Sequence, residues 1–123
     1  MRSLTVSVAA VLLVAAGAAN AHPKLVSATP AANATVAKPA RLMLRFSEKL
    51  MPKFVGADLM MTGMNGMKHA PMKVASASTV GADGRTLIIV PKSPLGAGTY
   101  NVAWYVVSSD THRITGNHAF AVK

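Results

Sequence analysis

Between residues 51 and 72 the sequence concentrates groups able to hold a soft metal ion. Six of the chain's eight methionines fall there, Met51, Met60, Met61, Met64, Met67 and Met72, with His69 among them. A thioether on a flexible stem either fills an irregular core or ligates a soft ion. Met61, Met64 and Met67 recur every three residues, as on a helix, but Gly63, Asn65, Gly66 and Pro71 break the run with turn-formers. The stretch therefore reads as a turn-rich loop, not as a packed helix. Thioethers with an imidazole and no thiolate make a donor set suited to Cu(I). The competing reading is an adaptable Met-rich surface for a protein partner.

A second, harder donor set depends on where the mature chain starts. Arg2, the apolar run 4–16 and Ala19-Asn20-Ala21 read as a secretory leader with its cleavage site. The run falls short of the ~20 residues that a membrane-spanning helix needs. A cut after Ala21 would make His22 the first residue, offering an α-amine and an imidazole to one metal. Asp110-Thr111-His112 places a carboxylate and an imidazole two residues apart, on one side of an extended segment. Glu48 follows the strand-like run ending at Phe46. Nitrogen and carboxylate in a tetragonal array suit Cu(II). Of the chain's four acids, Asp83 is explained by a turn and Asp58 by an exposed strand position, which leaves Glu48 and Asp110 for chemistry.

The expected mature chain, 22–123, is of single-domain size and carries no cysteine, as the whole chain carries none. That excludes zinc-finger and thioredoxin-like chemistry and leaves an exported domain dependent on its core. Beyond residue 21 there are twelve Lys and Arg against four acids, a formal charge of +8. The cations are scattered, without interleaved aromatics, so a nucleic-acid site is not expected. A solvated basic surface is one reading, and docking to an acidic partner or anionic lipid the other.

The elements that must position these donors are all strand-like. Alternating or β-rich runs are expected at 24–28, 41–46, 55–62, 73–80, 85–90, 99–107 and 114–122, each bounded by turn residues. Leu42, Leu44 and Phe46 would share one face, as would Tyr100, Val102, Trp104 and Val106, with Trp104 as the core anchor. Residues 87–90 suggest burial on both faces, Gly116 a bulge, and Met43 and Met60 core positions. Seven short strands without a helix argue for an all-β, single-domain Greek-key sandwich or closed barrel.

Five stretches together resemble the CopC family of periplasmic copper-resistance proteins. They are His22-Pro-Lys-Leu-Val-Ser-Ala-Thr-Pro30, Phe46-Ser-Glu48, the 61–72 methionine stretch, Ser93-Pro-Leu-Gly-Ala-Gly-Thr-Tyr100 and Ser108-Ser-Asp-Thr-His-Arg-Ile-Thr-Gly116. The resemblance implies a seven-stranded Greek-key β-barrel related to cupredoxins and immunoglobulin sandwiches, with two copper sites at opposite ends. It implies that Cu(II) is held by the amine and side chain of His22 with Asp110 and His112, Glu48 matching a further ligand or neighbour. It implies that Cu(I) is held by His69 with Met61, Met64, Met67 and Met72. Arg113 departs from the family pattern, which often has proline there, and His118 matches no ligand position, so a structural role is expected.

These readings converge on a monomeric periplasmic copper carrier, not an enzyme. The resemblance implies an inner-membrane copper-import protein or a periplasmic multicopper oxidase as its partner. Two rivals remain: a copper oxygenase with a histidine brace at His22, and a metal-free sandwich module.

Overall fold

The computed structural model describes residues 22–123, and the leader expected over 1–21 lies outside them. Two β-sheets face each other. One has four strands in the order β1 (Leu25–Thr29), β3 (Leu42–Phe46), β7 (Thr86–Pro91), β6 (Ser76–Val80). The other has five, in the order β2 (Thr35–Val36), β9 (Arg113–Val122), β8 (Gly98–Val107), β4 (Gly56–Met64), β5 (Met67–Val74). One 3₁₀ turn, Pro52–Phe54, precedes β4.

Alternation decides which side chains meet between the sheets. Leu42, Leu44 and Phe46 of β3 are buried while Arg45 between them is exposed. Tyr100, Val102, Trp104 and Val106 of β8 are buried in the same rhythm. Burying a side chain of this size contributes roughly 1.5–3 kcal/mol, which is how a domain without disulfides holds together. Trp104 is the anchor expected: its ring meets Phe46 edge-on, with centroids 5.0 Å apart.

Gly116 is not a bulge. The β8–β9 ladder runs without a register shift from Gly98↔Val122 to Val107↔Arg113. The glycine is needed because a Cβ there would lie 2.2 Å from Trp104 Cζ2. The indole occupies the space that a side chain would take.

The nine strands among the described residues differ from the seven expected for three physical reasons. The run 73–80 bends at Ala75 and changes sheet, so that β5 pairs with β4 and β6 with β7. The methionine stretch continues the ladder instead of forming a loop. And Thr35–Val36 adds a two-residue strand parallel to β9, too short to leave a pattern in sequence.

Three burial expectations are corrected as well. Met60 pairs with Lys73 and Asn101 on the face opposite buried Leu59. Met43 pairs with Ile88 on the face opposite Leu42 and Leu44. Both methionines are therefore on outer faces, half-covered. In β7 only Leu87 and Ile89 are buried, and Val90 is 44% exposed, because an outer face of this sheet looks to solvent.

Candidate metal centres

At one end of the sandwich β4 and β5 form a tight hairpin. Asn65 and Gly66 both take left-handed backbone angles, φ 52° and 74°, the conformation a two-residue turn of this kind requires. Met64 and Met67 flank the turn as direct cross-strand partners, and Met61 faces Met72 further down the ladder. Between these pairs the register slips: β4 advances from Met61 to Gly63 while β5 runs from Met72 to Lys68. The extra β5 residues include His69 and Pro71. Proline is tolerated because β5 is an edge strand, and at a bulge no ladder bond is lost.

The bulge aims His69. Its Nδ1 lies 2.8 Å from the Ala70 carbonyl oxygen, which can only accept, so Nδ1 carries the proton. Nε2 is buried without a hydrogen-bond partner. A ligating histidine has this arrangement, with one nitrogen fixed by a carbonyl and the other open. An open groove of about 740 Å³ is lined by His69, Met64 and Met67, with Thr62, Thr99 and Asn101 beside them. Met67 is 74%, Met72 59% and Met64 45% exposed. Met61 differs, packing inward against the core with its methyl close to Gly98. The structure thus brings Met64, Met67 and His69 to one groove and leaves Met61 and Met72 outside its lining.

The other end is assembled from three chain segments. His22 precedes β1, and its ring lies 4.4 Å, centroid to centroid, from that of His112. Asp110, Thr111 and His112 lie in the tight turn between β8 and β9, where Thr111 has φ 72°. The segment is therefore not extended, as expected from spacing. Asp110 and His112 meet because the chain reverses at a backbone conformation rare for a β-branched residue. His112 Nδ1 lies 2.7 Å from Asp110 Oδ2. Asp110 Oδ1 accepts hydrogen bonds from the Ser108 hydroxyl and the His112 backbone N–H. The Ser108 hydroxyl first, then His112, hold the Asp110 carboxyl down to about 2.

His22, Asp110 and His112 are thus neighbours, yet the described residues contain no group of three or more His, Asp or Glu side chains gathered as a finished metal cage. Asp110 is engaged with the His112 ring. Glu48 is half-buried on the loop after β3, and among the described residues no hydrogen bond or ion pair joins it to the other three. That loop does reach the site through the Leu50↔Ser108 bridge. Arg113 places its guanidinium over the Tyr105 ring, 5.3 Å from the centroid. His118 is buried and its Nε2 donates to the Pro30 carbonyl at 2.8 Å, a structural tie, as expected.

The two donor groups lie at opposite ends of β8: Thr99 pairs with Gly63 beside the methionine turn, and Val107 leads into Ser108. At the rise of an extended strand this separates them by roughly 30 Å. Sequence reasoning missed the serines that carry the second end, because a hydroxyl near a carboxylate leaves no distinctive spacing. The hairpin had a signal, Asn65-Gly66 between runs of strand-forming length, that was outweighed by the turn-formers around it.

A two-sheet β sandwich with thioethers at one end and histidines at the other defines a class: the CopC domain family matches residues 25–123, and the chain belongs to that family. Copper resistance protein C of Pseudomonas syringae pv. tomato is 56% identical over 105 residues, covering 85% of this chain and 83% of that protein. Protein YobA of Escherichia coli strain K12 is 38% identical over 104 residues, 84% of this chain and 80% of that protein. Among solved structures, PcoC, a methionine-rich copper resistance protein from Escherichia coli, superposes with a TM-score of 0.77 at 53% identity, covering 83% of this chain and 99% of that one. CopC from Methylosinus trichosporium OB3b gives 0.69 at 30% identity, over 83% and 94% of the two chains.

Proposed function

We propose that this copper-resistance-type protein is a periplasmic copper carrier that holds Cu(I) at the methionine hairpin and Cu(II) at the histidine end. The observation that carries the reading is His69 Nε2, a buried lone-pair nitrogen without a partner on a groove shared with Met64 and Met67. Leaving a buried polar atom unpaired costs about 1–3 kcal/mol, and a soft cation supplies the missing contact. Met61 and Met72 lie near enough on the ladder to join when the side chains rearrange. At the far end His22 and His112 supply nitrogen donors, Asp110 orients or joins them, and Glu48 stands nearby. Neither donor set suits both oxidation states, so copper passing from one kind of site to the other needs one electron from an external reductant, or loses one to an external oxidant.

The leader over 1–21 directs export, and an inner-membrane copper-import protein or a multicopper oxidase receives the metal from a monomeric carrier. Titration with copper, first oxidised and then under reductant, tests the reading. One Cu(II) held without reductant and one Cu(I) held with it are expected, and binding of neither overturns it.

A second reading has one specific support, the 4.4 Å pairing of the His22 and His112 rings, which resembles a histidine brace. Tyr100 and Trp104 are buried, so neither offers an aromatic face for a polysaccharide. Oxygen-dependent cleavage of chitin or cellulose would favour the oxygenase, and its absence the carrier.

A further inference from the structure

We propose that Ser47 and Ser108 are positioning residues that assemble the histidine end before metal arrives, an inference that rests on the Cu(II) reading of that end. His22 and His112 are both exposed, so packing alone does not hold their rings together. Each is held through a serine.

Ser47 grips the segment that carries His22. Its backbone N–H donates to the Lys24 carbonyl at 2.8 Å, and its hydroxyl accepts from the Lys24 N–H at 2.9 Å. Both backbone polar groups of Lys24 are thus tied to one residue. Pro23, buried between Lys24 and His22, has a fixed φ and leaves the chain little freedom before the imidazole. Ser47 is itself anchored, its carbonyl accepting from Arg85 Nη1 at 2.5 Å. The pinned segment delivers the His22 ring to His112.

Ser108 grips His112 twice. Its N–H donates to the His112 carbonyl at 3.1 Å, and its carbonyl accepts from the Thr111 N–H at 2.8 Å. Those bonds hold the turn in which Thr111 is left-handed. Its side chain, in a residue only 1% exposed, donates to Asp110 Oδ1 while Oδ2 meets His112 Nδ1. A carboxylate held there places the proton on Nδ1 and turns Nε2 outward as a donor. Fixing the tautomer and orientation of a ligating ring in this way is worth about 10–100-fold in metal affinity.

The test uses the full chain, expressed with its leader and recovered from the periplasm, with Ser47→Ala, Ser108→Ala and Ser47→Thr variants. In copper-free protein the wild type should show a nuclear Overhauser contact between the His22 and His112 rings, and Ser47→Ala should lose it. Each alanine variant should bind Cu(II) about 10–100-fold more weakly, with altered nitrogen coupling in paramagnetic resonance. Ser47→Thr keeps the hydroxyl and should restore both. Cu(I) binding at the hairpin should be unchanged throughout, a result that general damage to the fold would not give. Alanine variants that keep the ring contact and full Cu(II) affinity, beside a wild type that binds Cu(II), overturn the proposal. A wild type that binds no Cu(II) instead overturns the reading beneath it, while the copper-free ring contact still judges Ser47. Should Ser108→Ala fail to fold, the Ser47 variants alone decide.

Discussion

The two ends of the sandwich are built in opposite ways. The methionine end is one hairpin, whose donors lie within nine residues of one another along the chain, from Met64 to Met72, with Met61 just before. The histidine end draws on residues 22–24, 47–48 and 108–112, which meet only because β1 pairs with β3 and Leu50 bridges to Ser108. The first offers soft donors on the edge strand β5 and its neighbour β4, with little hydrogen bonding among them. The second is a hydrogen-bonded network around one carboxylate. On the carrier reading, a soft site within one hairpin depends on few contacts beyond it, whereas a site assembled from distant segments depends on its outer contacts.

The largest effect expected is at His22. Any residue left before it converts the α-amine to an amide, removing a donor while every side chain stays. Cu(II) affinity should then fall by more than the ~10–100-fold expected of an outer-shell change, and Cu(I) binding should persist. Titrating a protein with one extra residue against a cleanly processed one checks this, and equal affinities would remove the amine from the site.

Next, Met64→Leu with Met67→Leu should abolish most Cu(I) binding and spare Cu(II). The swap conserves volume and costs under ~1.5 kcal/mol, less at positions as exposed as these. A bicinchoninate competition assay reads the loss, and a thermal melt reads the small change in stability. Retained Cu(I) affinity would show that the groove is not the site.

Acidity should separate the ends more gently. Protons compete with metal for amine and imidazole nitrogen but not for thioether sulfur. The histidine end rests on an amine and two imidazoles and the hairpin on His69 alone, so between about pH 7 and 5 Cu(II) should be released before Cu(I). Parallel loss of both ions would contradict the assignment of donors.

The smallest effect concerns the metal-free fold. The Arg85 backbone N–H, then the Thr86 hydroxyl, lower Asp83 below its ordinary 3.8, and Asp110 is lowered to about 2. A carboxyl depressed on folding stabilises the native state fully above 3.8 and loses that contribution as pH falls through the folded value. Asp83→Asn and Asp110→Asn should therefore be less stable than the parent near neutrality, with the difference shrinking as pH falls below 3.8, as urea midpoints across that range will show.

What sequence could determine is what chain-local physics determines. Alternation at Leu42, Leu44 and Phe46 and at Tyr100 through Val106 fixed the inner faces, because a period of two is written in consecutive residues. The donor types at His69, Met64, Met67, His22 and His112 were legible as chemistry, since thioether and imidazole carry their preferences wherever they lie. Three things were decided only by tertiary structure. The change of sheet at Ala75 depends on which strands lie beside it, and no residue there announces it. Met60 and Met61 are chemically identical, and only the pairing of β4 with β8 settles which one meets the core. The closeness of His22 to His112, ninety residues apart in the sequence, follows from strand pairing and from two serine hydroxyls, whose bonds exist only once distant segments have come together.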